Sequence, residues 1–414
     1  MSIRLKRSDI HDILFLVFMS ILSIHSNDGA IIQTIASYLY VFVGVFLYFR
    51  NFQFKGYFTY SCFWIVYMLL SILWAKNYTD ATYYLSNLIK LLLIAFILTN
   101  RVRCIDDLVK IIKLLVHSRM FCAIVLIAKT PYYHWGTMEL GSAIGVWKNH
   151  LGLTFTLSTF LAMVLVVTEQ KYKFLYIIET IIFATISVIS GSRKAAGMVI
   201  LGFIIFTFLK NKNRMTGKVI FRRLIQIFVV VVALFAFYSL MMTNEVLYNL
   251  LGSRVETMLY YMKFAQGDES MIERKFYIDV AWELFRNNPF FGVGSNGFVT
   301  YLTYIRYSHV AYSHNNFTEI LCTLGLVGFV LYYSMPVYLA IKLFPANLPD
   351  GKTRKMVCVL WITEVLFLIF GWWFVYYFDI FINMAFIVPA LLWQIYKNRE
   401  INLIGVKERM EYDW

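Results

Sequence analysis

The chain has 414 residues, but 60% of them are hydrophobic and only 15% are charged. Its mean hydropathy is +0.65, which excludes an ordinary soluble protein and points to a polytopic membrane protein. A formal net charge of +14 would suggest nucleic acid in a soluble chain. Here the basic residues fall in short segments between apolar runs, where they report topology, and nucleic-acid binding is not expected. Cys62, Cys122, Cys322 and Cys358 lie in apolar stretches and Cys104 in a short basic loop, an arrangement that offers neither a disulfide framework nor a zinc site.

At the N-terminus, Arg4, Lys6 and Arg7 precede an apolar run that imitates a signal peptide. No small-residue cleavage site follows His25-Ser26-Asn27-Asp28-Gly29, so a retained first span is expected. A crossing helix needs roughly 20 apolar residues. Twelve candidate spans follow, at about 10–25, 31–49, 57–75, 82–99, 108–128, 149–168, 174–190, 194–209, 223–242, 317–341, 357–377 and 380–396. The fold class expected is an all-α polytopic bundle, a single transmembrane domain over 1–414. Most of the lysines and arginines fall in alternate connections, with the cluster Lys210, Lys212, Arg214, Lys218, Arg222 and Arg223 the densest. The positive-inside rule then puts both termini in the cytoplasm and turns the long polar loop 243–316 outward. Within that loop two helical patterns can be drawn, Val246 to Ala265 and Glu273 to Arg286, the second stopped by Asn287-Asn288-Pro289.

The loop gathers Arg254, Arg274, Arg286, Arg306, His309 and His314 around a glycine-rich turn, Asn288-Pro289-Phe290-Phe291-Gly292-Val293-Gly294. Gly292 to Gly297 satisfies GxGxxG, but a dinucleotide site needs a strand before it, and here a helical pattern precedes. His314 opens the tenth span, and Gly325 lies eleven residues on, close to three helical turns, with Gly328 beyond. One glycine face carrying His314 into the bundle is therefore expected. Lys90 and Arg119 fall inside the fourth and fifth spans at similar depth, which suggests a shared basic pocket.

His314-Asn315, nine residues and Gly325-Leu326-Val327-Gly328 resemble the signature of the O-antigen ligase and Wzy-type polysaccharide polymerase superfamily. The Asn288-Pro289 turn with Gly292 and Gly294, the turn Gly191-Ser192-Arg193, and Trp147-Lys148-Asn149 are similar to further motifs of that family, in the same order, from about residue 145 to 345. The resemblance implies a bacterial inner-membrane glycosyltransferase working on the outer face, with a glycan donor linked through pyrophosphate to a polyprenyl lipid. By position it assigns Arg193, Arg254 and Arg274 to the pyrophosphate and His314 to the acceptor hydroxyl as general base. Arginine suits the first role because its planar fork pairs phosphate oxygens and never deprotonates. Lys148, Asn149, Asn315, Gly292, Gly294, Lys90 and Arg119 are candidate substrate contacts, whereas Arg286 and Arg306 read as loop or headgroup contacts and His309 lacks the glycine spacing. Neither metal nor cofactor is implied. The expected partners are the donor, a glycan acceptor and the bilayer, with a flippase and a chain-length regulator beside them. The close SHNN/GLVG and NPFFGVG forms favour a polymerase of repeat units over a ligase, and a lipid-linked glycan flippase is the reading from a different class.

Overall fold

The structure, a computed structural model, describes residues 6–24, 29–51, 53–131, 140–211, 217–264, 267–307, 311–345 and 351–411, and no strand occurs among them. The bundle begins with α1 (Arg7–Leu22), α2 (Gly29–Tyr48), α3 (Gly56–Leu70), the short α4 (Tyr78–Thr82), α5 (Leu85–Arg101) and α6 (Ile105–Lys129). It continues through α7 (Lys148–Thr168), α8 (Lys173–Ile189), α9 (Arg193–Leu209) and α10 (Gly217–Thr243). The polar loop carries α11 (Glu245–Leu247), α12 (Ser253–Phe264), α13 (Glu269–Asn287) and α14 (Gly297–Tyr304). The chain returns to the bundle with α15 (Asn316–Lys342), α16 (Lys352–Phe370) and α17 (Met384–Glu411). Each of the twelve expected spans overlaps a helix, although the eleventh runs past the end of α16 and the twelfth begins before α17. Among the described residues, seven segments are long and apolar enough, by length and composition, to cross a membrane: Ile31–Tyr48, Gly56–Trp74, Tyr78–Arg101, Ile105–Lys129, Lys148–Thr168, Asn316–Lys342 and Lys352–Trp373.

The core is built on α7, which packs against α6, α8, α9 and α16. Its residues from Leu151 to Leu165 are buried without interruption, so the helix needs no polar face. The hydroxyls of Thr156, Ser158 and Thr159 donate to carbonyls four residues back, at 2.9, 2.9 and 2.8 Å, which satisfies them where no water is present. Gly152 allows close contact, since a Cβ there would lie 2.6 Å from Ser190 Oγ and 2.8 Å from Ala195 Cβ. That contact seats the turn bearing Arg193 beside the first residues of α7.

Both anticipated loop helices form, and α13 starts four residues early because Asp268 caps it, its Oδ1 accepting from Met271 N at 3.1 Å. Tyr277, Val280, Ala281 and Leu284 bury one face of α13 against Phe298 and Leu302 of α14 and Cys322 of α15. The loop is thereby a packed layer on one end of the bundle. Ser295 Oγ and Asn296 Nδ2 extend it to α4 by donating to the carbonyls of Ala81 and Asp80 at 2.9 and 3.0 Å.

The expectation of a straight tenth span with a glycine face is overturned. His314 precedes the helix, with φ of 57°, and Asn315 is the cap, its Oδ1 accepting from Phe317 N and Thr318 N. At Gly325, φ 66° and ψ −169° interrupt α15. Phe317 stacks on Tyr333 with ring centroids 4.8 Å apart, although sixteen residues of straight helix would separate them by about 24 Å. The two halves of α15 thus fold back on each other. The interruption releases backbone groups that the glycine-rich turn takes up. Val293 N and Gly294 N donate to the carbonyls of Cys322 and Thr323, both at 2.9 Å, while Leu326 N donates to Pro289 O at 2.8 Å and Val327 N to Phe290 O at 3.2 Å. Glycine is required at the crossing: a Cβ on Gly325 would lie 2.2 Å from Phe290 O, and one on Gly292 2.4 Å from the Thr323 backbone.

Candidate active site

At the loop-bearing end, a cavity of about 680 Å³ opens between the starts of α7, α9 and α13 and the end of α16. Lys148 and Asn149 reach it from α7, Arg193 and Lys194 from α9, and Arg274 from α13. Four basic side chains from three helices therefore face one space, with Phe370 and Trp373 forming an apolar wall. Arg193 and Lys194 are held by different contacts. Arg193 opens α9 directly after the Gly191 turn, and its Nη1 and Nη2 both approach Asp268 Oδ2, at 3.3 and 3.4 Å. Lys194 donates to Trp373 O at 2.7 Å. Arg274 stands one turn into α13 and forms no ion pair with the described residues. Burial, followed by the nearby charge of Arg193, disfavours its charged form.

His314 lies beside this cluster, its ring 4.6 Å from that of Tyr312 and 5.6 Å from that of Tyr277. Burial and then the positive charges of Arg274 and Lys194 lower its pKa to about 3. The imidazole is therefore neutral at physiological pH, able to accept a proton and to donate one from its other nitrogen. Tyr277 is fixed in turn by donating its hydroxyl to Glu273 Oε1 at 2.8 Å.

The anticipated residues divide into three groups. Arg193, Arg274, Lys148 and Asn149 line the cavity, and His314 adjoins it. The Arg254 side chain lies outside the described residues. Thr257 and Met258, one turn further along α12, line the cavity. Gly292 and Gly294 belong to packing, not to the cavity; a Cβ on Gly294 would lie 2.8 Å from the Ser71 carbonyl and Ala75 Cα. Asn315 is a helix cap whose Nδ2 is buried without a hydrogen-bond partner.

Lys90 and Arg119 are seated against different neighbours. Lys90 lies over the Tyr38 ring at 5.8 Å, whereas Arg119 is buried over Phe381 at 3.9 Å and Phe155 at 5.4 Å. Similar depth on consecutive helices did not reveal that their side chains face different neighbours. Arg286 and Arg306 are exposed outside the cavity, and His309 lies outside the described residues.

Sequence reasoning missed Lys194, Asp268 and Trp373. Lys194 adjoins the recognised Ser-Arg turn and could have been included with it. Asp268 carries the signal of a capping residue ahead of a helical pattern. Trp373 had no local signal, because it meets Lys194 only through the packing of α16 on α9.

Residues 177–333 match the family model described as O-Antigen ligase, Wzy_C. No curated protein matches the chain. The matched region runs from α8 into the second half of α15, and so contains Arg193, Arg254, Arg274, the glycine-rich turn and His314. That match, over less than half of the chain, supports its resemblance to the O-antigen ligase/Wzy superfamily.

Proposed function

We propose that the cavity holds the pyrophosphate of a polyprenyl-linked glycan and that the protein joins such repeat units outside the cytoplasmic membrane. The observation that carries this reading is the convergence of Lys148, Arg193, Lys194 and Arg274 on one space beside a neutral histidine. In the proposed step, His314 takes the proton of an acceptor hydroxyl as its oxygen attacks the anomeric carbon. The bond from that carbon to the pyrophosphate breaks with inversion, and the pyrophosphate leaves with the bonding electrons. Negative charge grows on the leaving group, so prepositioned guanidinium and ammonium groups stabilise the transition state more than the ground state. Phe370 and Trp373 offer apolar surface for the first part of the lipid.

A ligase reading, transfer of a finished chain to a terminal acceptor, is favoured by the description of the matched family. Flipping is less well supported. The break in α15 is filled by loop backbone instead of leaving the free half-helix ends that a carried substrate would use. The test is electrophoresis of surface glycan and lipid-linked intermediates from a deletion strain. Loss of long chains with single-repeat caps supports polymerisation, and long chains left on the carrier support ligation.

A further inference from the structure

We infer that Glu319 is a positioning residue for His314, acting through the backbone of Ser313; the inference rests on His314 being the base. His314 has φ of 57°, in the left-handed region, which a residue with a Cβ adopts only when its surroundings impose it. Both sides of the histidine are fixed. On the C-terminal side, Asn315 is locked as the cap of α15 by bonds from Phe317 N at 2.9 Å and Thr318 N at 3.2 Å. On the N-terminal side, Ser313 N donates to Glu319 Oε2 at 2.7 Å. Ser313 Oγ donates to Asn315 O at 2.9 Å, spanning the histidine, and Thr318 Oγ1 supports Ser313 Oγ at 3.3 Å.

Glu319 is 1% exposed and Ser313 is fully buried, so water does not replace this bond. The carboxylate comes from the first turn of the helix that Asn315 starts, which ties the direction of that helix to the backbone on both sides of His314. Glu319 does not line the cavity. Its contribution is therefore geometric: it holds the imidazole toward Arg274 and Tyr312 and keeps the turn from relaxing to an ordinary extended conformation.

The test compares Glu319→Gln, whose amide oxygen can still accept from Ser313 N, with Glu319→Leu, which has no acceptor. Both are assayed with His314→Ala, using purified full-length protein and a lipid-linked repeat unit. The expected result is Glu319→Gln within about three-fold of the parent and Glu319→Leu down about 100-fold in kcat with donor KM nearly unchanged, the scale of a misplaced catalytic group. Parental kcat in Glu319→Leu would overturn the inference. So would equal loss in Glu319→Gln, which alone decides the matter if Glu319→Leu does not fold, because it would mean that the carboxylate acts by its charge. Activity in His314→Ala would instead remove the reading of the site on which the inference rests.

Discussion

At His314 burial and then two neighbouring basic groups set the protonation state, and those two groups are the ones that would meet the pyrophosphate. With its pKa lowered to about 3 by burial, Arg274 and Lys194, the imidazole is neutral but weakly basic in the free protein. Donor binding adds negative charge opposite those cations and should raise the pKa, making the base stronger once the substrate is in place. The sign can be tested. kcat/KM, which follows free enzyme, should show no acid limb from His314 down to about pH 3, whereas kcat should lose activity at a higher pH. A coincident acid limb in both profiles would contradict this coupling. Asp268 gives a second prediction at the same scale. Asp268→Asn keeps a good helix cap but removes the negative charge beside Arg193. The donor KM should fall by about five-fold, an effect of roughly 1 kcal/mol; an increase would mean that Asp268 serves chiefly to aim Arg193.

At the scale of elements, the bent α15 and its paired turn explain why motifs far apart in sequence occur together. The spacing from His314 to Gly325 suggested a helical face, but Gly325 ends one helical half and presents backbone to Pro289–Gly294. Periodicity could not reveal this, because a glycine used for close helix contact and one used for a break look alike. Its tertiary partner distinguishes them. Gly325→Ala should cost about 3 kcal/mol or more, combining an unfavourable conformation with overlap at Phe290 O. A lower melting temperature in detergent would register it, and a parental melting temperature would contradict the pairing. Other elements were legible. The helical pattern from Glu273 to Arg286 located α13, and Asn287-Asn288-Pro289 marked its end. The directions of Lys90 and Arg119 depend on contacts with Tyr38 of α2 and with Phe155 of α7 and Phe381 ahead of α17, which no local pattern encodes. Lys90→Ala should accordingly retain glycan synthesis, while Arg119→Ala should mainly lower thermal stability by removing the cation between Phe155 and Phe381.

At the scale of the whole molecule, hydropathy identified the helices and their order, because apolar length follows from the thickness of a bilayer. It could not show which helix would form the centre. The uninterrupted burial of α7 comes from small and hydroxyl side chains that let α8 and α9 approach, and these placed Arg193 beside Lys148. The candidate site is consequently assembled by the bundle as much as by the loop. The most direct test of its proposed chemistry is turnover of a purified polyprenyl-pyrophosphate repeat unit by the reconstituted protein and by His314→Ala and Arg193→Ala. The account predicts extended lipid-linked chains with the parent, and unreacted single repeats with both variants at unchanged melting temperature. Undiminished chain extension by His314→Ala would contradict it.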